Sequence, residues 1–276
     1  MKLFFAGLAA TAAAVCAVAV PAQAASVASV QAAPLNPVKA LKAQLVAGKG
    51  VKINETSGIT LDFTADDQAM QVQVNTHTVG TLAFGKGNVA AADLRVRMSS
   101  RQKERPNPLY RVIAEGRNAY VTNAGIAKAL PSGLSWIQSK ASEGENTVLN
   151  VGVTPAELQF MLDNSSEVAT GQYEGTATLA EFRHDKSAGE GKVEFQLYFD
   201  KHNLLTRTVV DTTTYPDDDT TAYDQMAFHT DTKYSGWGAK VKIAAPAAGK
   251  VISEKKLNAK TRKAVIKAGY PESGPF

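Results

Sequence analysis

Cysteine is almost absent from this chain. Cys16 is the only cysteine among 276 residues. It lies within the first 24 residues, which we expect to be removed, so the mature protein has no thiol and no disulfide. A chain without cross-links must hold its fold by core burial and backbone hydrogen bonds.

Catalytic signatures are absent as well. There is no Gly-x-Ser-x-Gly motif, which argues against a serine hydrolase of the common type. Residues 85–87 form a short turn signal rather than a glycine-rich phosphate cradle. The histidines are scattered singly, without a second ligand at metal-binding spacing: His77, His184, His202 and His229. We therefore expect no enzyme and no cofactor, and keep a hydrolase assembled from distant residues as an alternative.

The densest group of carboxylates lacks what a metal needs. Asp217, Asp218 and Asp219 are adjacent, and Asp224 is nearby. The spacing lacks the alternating ligands, central glycine and distal glutamate of a calcium loop. The pattern favours a solvated hairpin turn, so we expect no metal.

Charge and aromatic content exclude further classes. The formal net charge is +4 and falls by one unit once Lys2 is removed, which is too small an excess to predict a nucleic-acid partner. Aromatic residues make up only 7% of the chain. A platform for stacking bases or sugars is therefore not indicated.

The N terminus has the features of a secretion signal. Lys2 is followed by an uncharged, alanine-rich run that ends at Val20. Residues 22–24 (AQA) then match the small-x-small pattern that signal peptidase recognises. This predicts cleavage between Ala24 and Ala25 and a secreted, extracellular protein. A retained membrane anchor is the alternative, but the run only just reaches the ~18 residues of a spanning helix.

Cys16 raises the question of a lipid anchor, because bacterial lipoproteins are cut before a lipidated cysteine that follows a small residue. Here the preceding residue is Val15, whose β-branched side chain fits lipoprotein processing badly. We therefore expect Cys16 to be an ordinary apolar residue of the signal, without a lipid.

From residue 51 onward, apolar and polar residues alternate with a period of two. This period is typical of strands that bury one face, as in antiparallel sheets. The clearest runs are residues 59–63, 70–74, 94–98 and 193–199. Further candidates are residues 78–84, 109–115, 118–123, 172–182, 204–213, 225–234 and 240–245. Turn residues at 200–203 and 216–219 predict hairpins between neighbouring strands.

Capping residues predict the helices. Asn36 precedes a helix over residues 37–47, and Thr154 with Glu157 forms a capping box for a helix over residues 154–163. Further helices are expected over residues 125–130 and 258–268. Helix, strands, helices and more strands in this order predict an α+β fold, with helices on one face of a large curved antiparallel sheet.

The predicted organisation has four parts. They are a signal peptide over residues 1–24, a flexible lead-in over 25–35, a single α+β domain over 36–250 and a basic C-terminal helix or tail over 251–276. Size scaling supports one full core for a chain of this length.

The C-terminal part concentrates positive charge, because residues 255–267 contain six basic residues and no acidic one. The pattern predicts contact with an anionic surface, such as lipid headgroups or wall polymer, and a solvated tail helix is the alternative. The basic residues are Lys255, Lys256, Lys260, Arg262, Lys263 and Lys267.

Several short motifs follow one another between residues 36 and 250. They are LKAQL at 41–45 with GKGV at 48–51, NAYV at 118–121, LPSGLSW at 130–136, YEGT at 173–176, LTR at 205–207, and YSGWG at 234–238 with VKIAAP at 241–246. In this order they resemble the actinobacterial LppX/LprG-type lipid-carrier lipoproteins and their secreted relatives in Streptomyces-like bacteria. The anchor cysteine of that family is missing here.

The resemblance implies a fold like that of the LolA and LolB lipoprotein carriers. In that fold a strongly curved antiparallel sheet, a half-barrel, has helices over its concave face and a gap that holds acyl chains. The side chains expected to line such a hydrophobic cavity are Leu41, Leu45, Ile59, Leu61, Phe63, Val72, Val74, Leu158, Met161, Leu162, Phe195, Leu197, Phe199, Met226 and Phe228. The alternative is that they form a filled core.

Two functional hypotheses follow. The first is a non-enzymatic exported protein, monomeric, that carries or binds a hydrophobic or acylated ligand in the cell envelope or outside it. The second is a secreted interaction or structural protein with a solid core, which contacts anionic cell-wall polymer or membrane through its basic C-terminal helix. An apolar cavity of ~300–1,000 Å³ would favour the first.

Overall fold

A computed structural model describes residues 36–65, 68–100, 109–140, 154–185, 189–215 and 224–270. The predictions for the signal peptide, the lead-in, the turn at 216–219 and residues 271–276 lie outside these residues. The described residues all belong to one compact unit that begins at Leu35.

The described residues form twelve strands and five α-helices. The strands are β1 (Lys49–Ala65), β2 (Gln68–Phe84), β3 (Val89–Ser100), β4 (Leu109–Glu115), β5 (Asn118–Thr122), β6 (Trp136–Lys140), β7 (Ser165–Ala169), β8 (Gln172–Thr178), β9 (Gly191–Phe199), β10 (Leu205–Thr214), β11 (Gln225–Lys240) and β12 (Val251–Ser253). The helices are α1 (Pro37–Gln44), α2 (Ala124–Ala129), α3 (Pro155–Asp163), α4 (Leu179–Arg183) and α5 (Ala259–Lys267).

All twelve strands belong to one sheet, in the order β12-β6-β5-β4-β3-β2-β1-β11-β10-β9-β8-β7. Every neighbouring pair is antiparallel except β12 with β6, which is parallel. The two ends of the sheet do not pair with each other, so the sheet is open. The predicted fold class, an α+β fold built on a large antiparallel sheet, is confirmed.

The predicted start and turn signals are present where the sequence places them. Asn36 accepts a hydrogen bond from the backbone N–H of Lys39 and caps α1. Thr154 and Glu157 form the reciprocal capping box of α3. Asn203 adopts a φ of 62° in the turn between β9 and β10, a left-handed conformation that asparagine tolerates.

One face of the sheet, here called the core face, carries the apolar core. It includes Val51 and Ile53 of β1 and, by cross-strand pairing, Leu82 of β2 and Leu94 of β3. Each of the five helices contributes at least one buried apolar side chain to the same cluster. The helices therefore pack on the core face, because an amphipathic helix buries its apolar stripe against a sheet.

Two predicted strands, 172–182 and 240–245, run four or five residues past the strands of the structure, and the predicted break at 235–239 lies inside β11. Residues 179–182 belong to α4 rather than to a strand, because Thr178 and Glu181 form a second capping box that ends β8. Residues 241–245 are not a strand. The pairing partner β1 begins at Lys49, opposite Lys240, so no strand lies alongside the chain beyond that point.

The basic C-terminal segment is built into the sheet and the core. β12 pairs with β6, and α5 packs against α2. Val265 of α5 is fully buried. The Tyr110 hydroxyl donates to the carbonyl of Gly269 at 2.6 Å, which fixes the end of α5 to β4.

The packing of α3 can be tested by overfilling the core. Leu158 is 1% exposed, so we expect Leu158→Trp to lower the free energy of unfolding by about 1–3 kcal/mol. Gln159→Trp places the same side chain on the exposed side of the same helix and should change it by less than about 0.5 kcal/mol. Chemical denaturation measures both. An unchanged or higher stability of Leu158→Trp would mean that α3 covers an open cavity.

Candidate functional site

The core face changes its chemistry along the strands. On β1 it presents Val51 and Ile53, then Glu55, and then Ile59, four residues further along. Odd-numbered residues of β1 share this face because side chains alternate along a strand. An apolar zone, a polar zone and a second apolar zone thus follow one another.

The polar zone consists of two cross-strand rows, here called the polar rows. They follow from the pairing of β2, β1, β11 and β10. The first row is Thr78, Glu55, Thr232 and Thr208, and the second row is Thr76, Ser57 and Thr230. The three threonines of the first row are buried, whereas the second row is half-buried.

Glu55 is the only charged side chain in the polar rows. Its Oε2 accepts a hydrogen bond from the hydroxyl of Thr232 at 2.9 Å. Burial raises the pKa of Glu55, and the hydrogen bond from Thr232 opposes this only in part. Among the described residues no lysine, arginine or histidine forms an ion pair with it. The site therefore holds a poorly solvated carboxylate without a countercharge.

Tyr234 lies on the core side of the polar rows, paired with Ile53. Its hydroxyl is 3.4 Å from that of Thr208. Burial raises the pKa of Tyr234 to about 12, so the phenol stays neutral at physiological pH. Its ring stacks on Trp237 with centroids 5.7 Å apart, which closes this side of the polar rows with aromatic packing.

Beyond the polar rows lies the second apolar zone, here called the distal apolar face. Its eight side chains come from β1, β2 and β11: Ile59, Leu61, Phe63, Met70, Val72, Val74, Met226 and Phe228. Ile59 is 38% and Met70 50% exposed, and the others are half-buried. A contiguous apolar surface thus remains open to solvent on the same face as the core.

The distal apolar face exists because its strands are long. β1 and β2 have 17 residues each, and their register runs from Gly50 with Ala83 to Ala65 with Gln68 without a shift. At ~3.4 Å per residue such a hairpin is about 55 Å long. Burial falls from the buried threonines of the first polar row to the exposed Ile59, so the helical layer is shorter than the hairpin.

The sequence-predicted ligand residues fall into two groups. Ile59, Leu61, Phe63, Val72, Val74, Met226 and Phe228 meet on the distal apolar face. The others are in or against the core cluster: Leu41, Leu45, Leu158, Met161, Phe195 and Leu197 are buried, and Leu162 and Phe199 are partly buried. That these side chains line a ligand cavity stays a prediction.

Met70, Glu55 and the hydroxyls of the polar rows are not among the ligand residues predicted from the sequence. The sequence does indicate that Met70 belongs with them, because it alternates in step with Val72 and Val74 and therefore lies on the same face of the strand. The sequence also indicates that Glu55 is unusual. It lies an even number of residues from Ile53 and Ile59 on the same strand, so it places a charge on an apolar face.

The structure also has two clefts, of which the smaller one shares Ser57 and Phe228 with the polar rows and the distal apolar face. One has a volume of about 640 Å³, and its lining includes Asp163, Glu174, Glu194 and Asp211. The other, of about 250 Å³, lies beside Gly58 and His229 on the opposite face of the sheet. The larger cleft is lined mainly by polar groups, which does not suit an apolar ligand.

Within the described ranges, no group of three or more His, Cys, Asp or Glu residues is arranged to hold a metal ion. No helix of the described part is long and apolar enough to cross a bilayer.

The predicted basic residues are mostly on the surface. Lys260, Lys263 and Lys267 are exposed along α5, and Lys255 and Lys256 are exposed in the turn before it. Arg262 instead donates from Nη1 to the carboxylate of Glu254 at 3.3 Å and from Nη2 to its carbonyl at 3.1 Å. Five of the six positive charges therefore face solvent.

No protein-family model matches this chain, and no curated protein matches it. Solved structures that resemble it include a LolA superfamily protein from Nitrosomonas europaea, with 12% identity over 72% of this chain and 90% of that one. A DUF1329 family protein from Desulfovibrio piger has 13% identity over 76% and 95%. An outer membrane lipoprotein-sorting protein domain from Vibrio parahaemolyticus has 10% identity over 84% and 97%.

Each of these three structures has a TM-score of 0.22. The names of two of them place those two proteins in the LolA and lipoprotein-sorting group. Because these scores are low, the assignment of the fold depends only on the strand order and register of this chain.

The raised pKa of Glu55 predicts the direction in which stability changes with pH. Between its ordinary value of 4.5 and the higher folded value, the folded state binds more protons than the unfolded state. Stability therefore falls as pH rises through this window. We expect Glu55→Gln to remove this loss, so its free energy of unfolding should rise relative to the wild type as the pH increases above the ordinary value of 4.5.

Asp231→Asn is the control, because its effect on stability should change with pH in the opposite direction. The hydrogen bond from Arg207 lowers the pKa of Asp231, so the wild type should hold an advantage over this variant that disappears as pH falls through the lowered value. Urea denaturation at several pH values measures both. A constant difference between wild type and Glu55→Gln would show that Glu55 is not desolvated.

Proposed function

We propose that this protein is a non-enzymatic binding protein for an apolar, acylated ligand, which it holds on the distal apolar face. The observation that carries this proposal is the group of eight apolar side chains that β1, β2 and β11 leave open to solvent. An exposed apolar surface that is bordered by polar residues is typical of ligand-binding grooves.

The size of the distal apolar face favours a small ligand over a protein. From Ile59 to Phe63 it extends about 14 Å along β1, and the three strands are about 10 Å across, which gives roughly 140 Å². A stable protein interface needs about 800 Å² from each partner. Even twice the projected area is far below that, whereas an acyl chain needs only a narrow apolar track.

The side chains themselves suit a flexible apolar ligand. Met70 and Met226 lie at opposite edges of the distal apolar face. Methionine is unbranched and polarizable, so it adapts to ligands of different shape. Phe63 and Phe228 add large apolar contact areas.

Three further assignments belong to this proposal. They are a relationship to the LppX/LprG-type lipid carriers, export after cleavage between Ala24 and Ala25, and a monomeric state. The order of the short motifs over residues 36–250 and the alanine-rich run before residue 22 support the first two. The small size of the distal apolar face supports the third, because it is too small to hold a stable dimer.

Removal of apolar surface tests the proposal. In the double variant Ile59→Gln, Met70→Gln we expect binding of a fluorescent dodecyl fatty-acid probe to weaken at least about tenfold, since ~60 Å² of lost apolar contact corresponds to about 1.5 kcal/mol. Both residues are solvent-exposed, so the thermal midpoint should be nearly unchanged. Fluorescence titration and thermal denaturation give the two values.

Val168→Gln is the matched control. Val168 is also an exposed apolar side chain, 53% accessible, but it lies on the edge strand β7. Its substitution should leave probe binding unchanged. Equal weakening by both changes, or no probe binding by the wild type, would contradict the proposal.

A second candidate function, contact with an anionic surface, is favoured by the arrangement of α5. Lys260, Lys263 and Lys267 are spaced by three and four residues and therefore lie along one exposed side of the helix. Val265 is buried on the opposite side. This orientation presents the three ammonium groups outward without disturbing the core.

Charge removal tests this second function. The triple variant Lys260→Gln, Lys263→Gln, Lys267→Gln should lose about 100-fold in affinity for phosphatidylglycerol vesicles at low salt, at about 1 kcal/mol per lysine. Wild-type binding should itself fade near 1 M salt, where the Debye length is about 3 Å. Vesicle cosedimentation measures both effects.

Lys52→Gln, Lys86→Gln, Lys201→Gln changes the net charge equally at three exposed lysines elsewhere and is the control. An equal loss in both triple variants would show that only the overall charge matters. Unchanged binding of the α5 variant would show that α5 is a solvated helix.

A further inference from the structure

The polar rows border the distal apolar face directly. Ser57 of the second row precedes Ile59 by two residues on the same face of β1, and Thr230 and Thr76 flank Ser57 on the neighbouring strands. A ligand on the distal apolar face therefore meets a band of hydroxyl groups at one end. Glu55 lies one row further in.

Glu55 has capacity for one more hydrogen bond. Thr232 donates to Oε2, and Oε1 accepts no hydrogen bond from the described residues. A carboxylate accepts at both oxygens, and a poorly solvated one gains more from each added donor. The carboxylate is half-buried rather than sealed, so a donor from a ligand can reach it.

We propose that the polar rows bind the headgroup of the ligand, and that this headgroup is uncharged and carries hydroxyl groups, as in a glycerol or sugar ester. This inference rests on the proposed function, since the distal apolar face must hold the acyl chain. One ligand hydroxyl donates to Glu55, while the hydroxyls of Ser57, Thr76 and Thr230 donate to and accept from the others.

The charge of the site selects against anionic heads. A carboxylate or phosphate head would face Glu55 without a cation from the described residues to offset the repulsion. Like charges brought together in a partly desolvated site are strongly unfavourable. Serine and threonine hydroxyls, being both donors and acceptors, match a polyol better than they match a quaternary ammonium group, which has no donor.

The direction of the ligand follows from the same geometry. Eight residues separate Glu55 from Phe63 on β1, a distance of about 27 Å in an extended strand. The head therefore lies at Glu55 and the chain runs along β1 toward Phe63. Reversal would place hydroxyls on apolar side chains and leave the polar rows facing hydrocarbon, which is unfavourable.

Probes with one chain length and different heads test this inference. Glycerol monododecanoate, dodecanoate and dodecyltrimethylammonium share a dodecyl-type chain and are to be titrated by calorimetry, below micelle formation, at about pH 8, well above the ordinary carboxyl range. We expect the glycerol ester to bind at least about tenfold more tightly than dodecanoate, which Glu55 repels. It should also bind more tightly than dodecyltrimethylammonium, which has no donor for Glu55.

Glu55→Gln should reduce the preference for the glycerol ester over dodecanoate to less than about threefold, mainly because dodecanoate binds more tightly once the repulsion is gone. Its stability at this pH is expected to equal or exceed that of the wild type, so a folding defect does not obscure the result. Glu174→Gln removes an exposed carboxylate on β8 and should leave the preference unchanged.

The outcomes separate this inference from the proposed function. If all three probes bind the wild type within about threefold, or if Glu55→Gln leaves the preference intact, the headgroup inference is wrong while acyl binding stands. Tightest binding of the ammonium probe would mean that Glu55 recognises a cation and would also overturn it. If no probe binds, the proposed function itself fails.

Discussion

The whole arrangement depends on the unbroken alternation of side chains along β1 and β2. Their pairing runs from Gly50 to Ala65 without a shift, so every odd residue of β1 in this span lies on the core face. A slip of one residue would exchange the two faces. Because the register holds, the residues that anchor the helices and those that stay open to solvent belong to one continuous surface.

This surface is longer than the helical layer that covers it, and the difference creates the site. Tyr234 and Thr232 are buried where the helices pack, whereas Ile59 is exposed only four residues from Glu55 on β1. A sheet that ended with its helices would have a filled core and no open face. The extra strand length therefore leaves apolar surface that folding does not bury.

Local signals made much of the fold predictable from sequence. The alternation over residues 70–74 identifies a half-buried strand without any knowledge of its neighbours, and the Thr154 capping box identifies the start of α3. β12 has only three residues, too few for a period to be seen. The end of the strand near Lys240 depends on where β1 begins, which is a tertiary constraint and not a local one.

The site was harder to predict, because burial depends on how far the helices extend over the sheet. Leu61 and Leu197 have similar alternating surroundings in the sequence, yet Leu197 is fully buried and Leu61 is half-buried. The difference comes from distant elements that cover β9 but not the outer part of β1. Parity assigns a side chain to a face, but only the assembled layers decide whether that face is covered.

The proposed preference for an uncharged headgroup depends on Glu55. A threonine there would continue the row formed by Thr78 and Thr232 at no electrostatic cost, whereas the glutamate brings a charge that burial penalises. Departures from the local rule at one position are expected where function requires them. Glu55 lies between the packed core and the distal apolar face. In the proposed complex the ligand supplies the missing hydrogen-bond donor, and the distal apolar face aligns the ligand with Glu55.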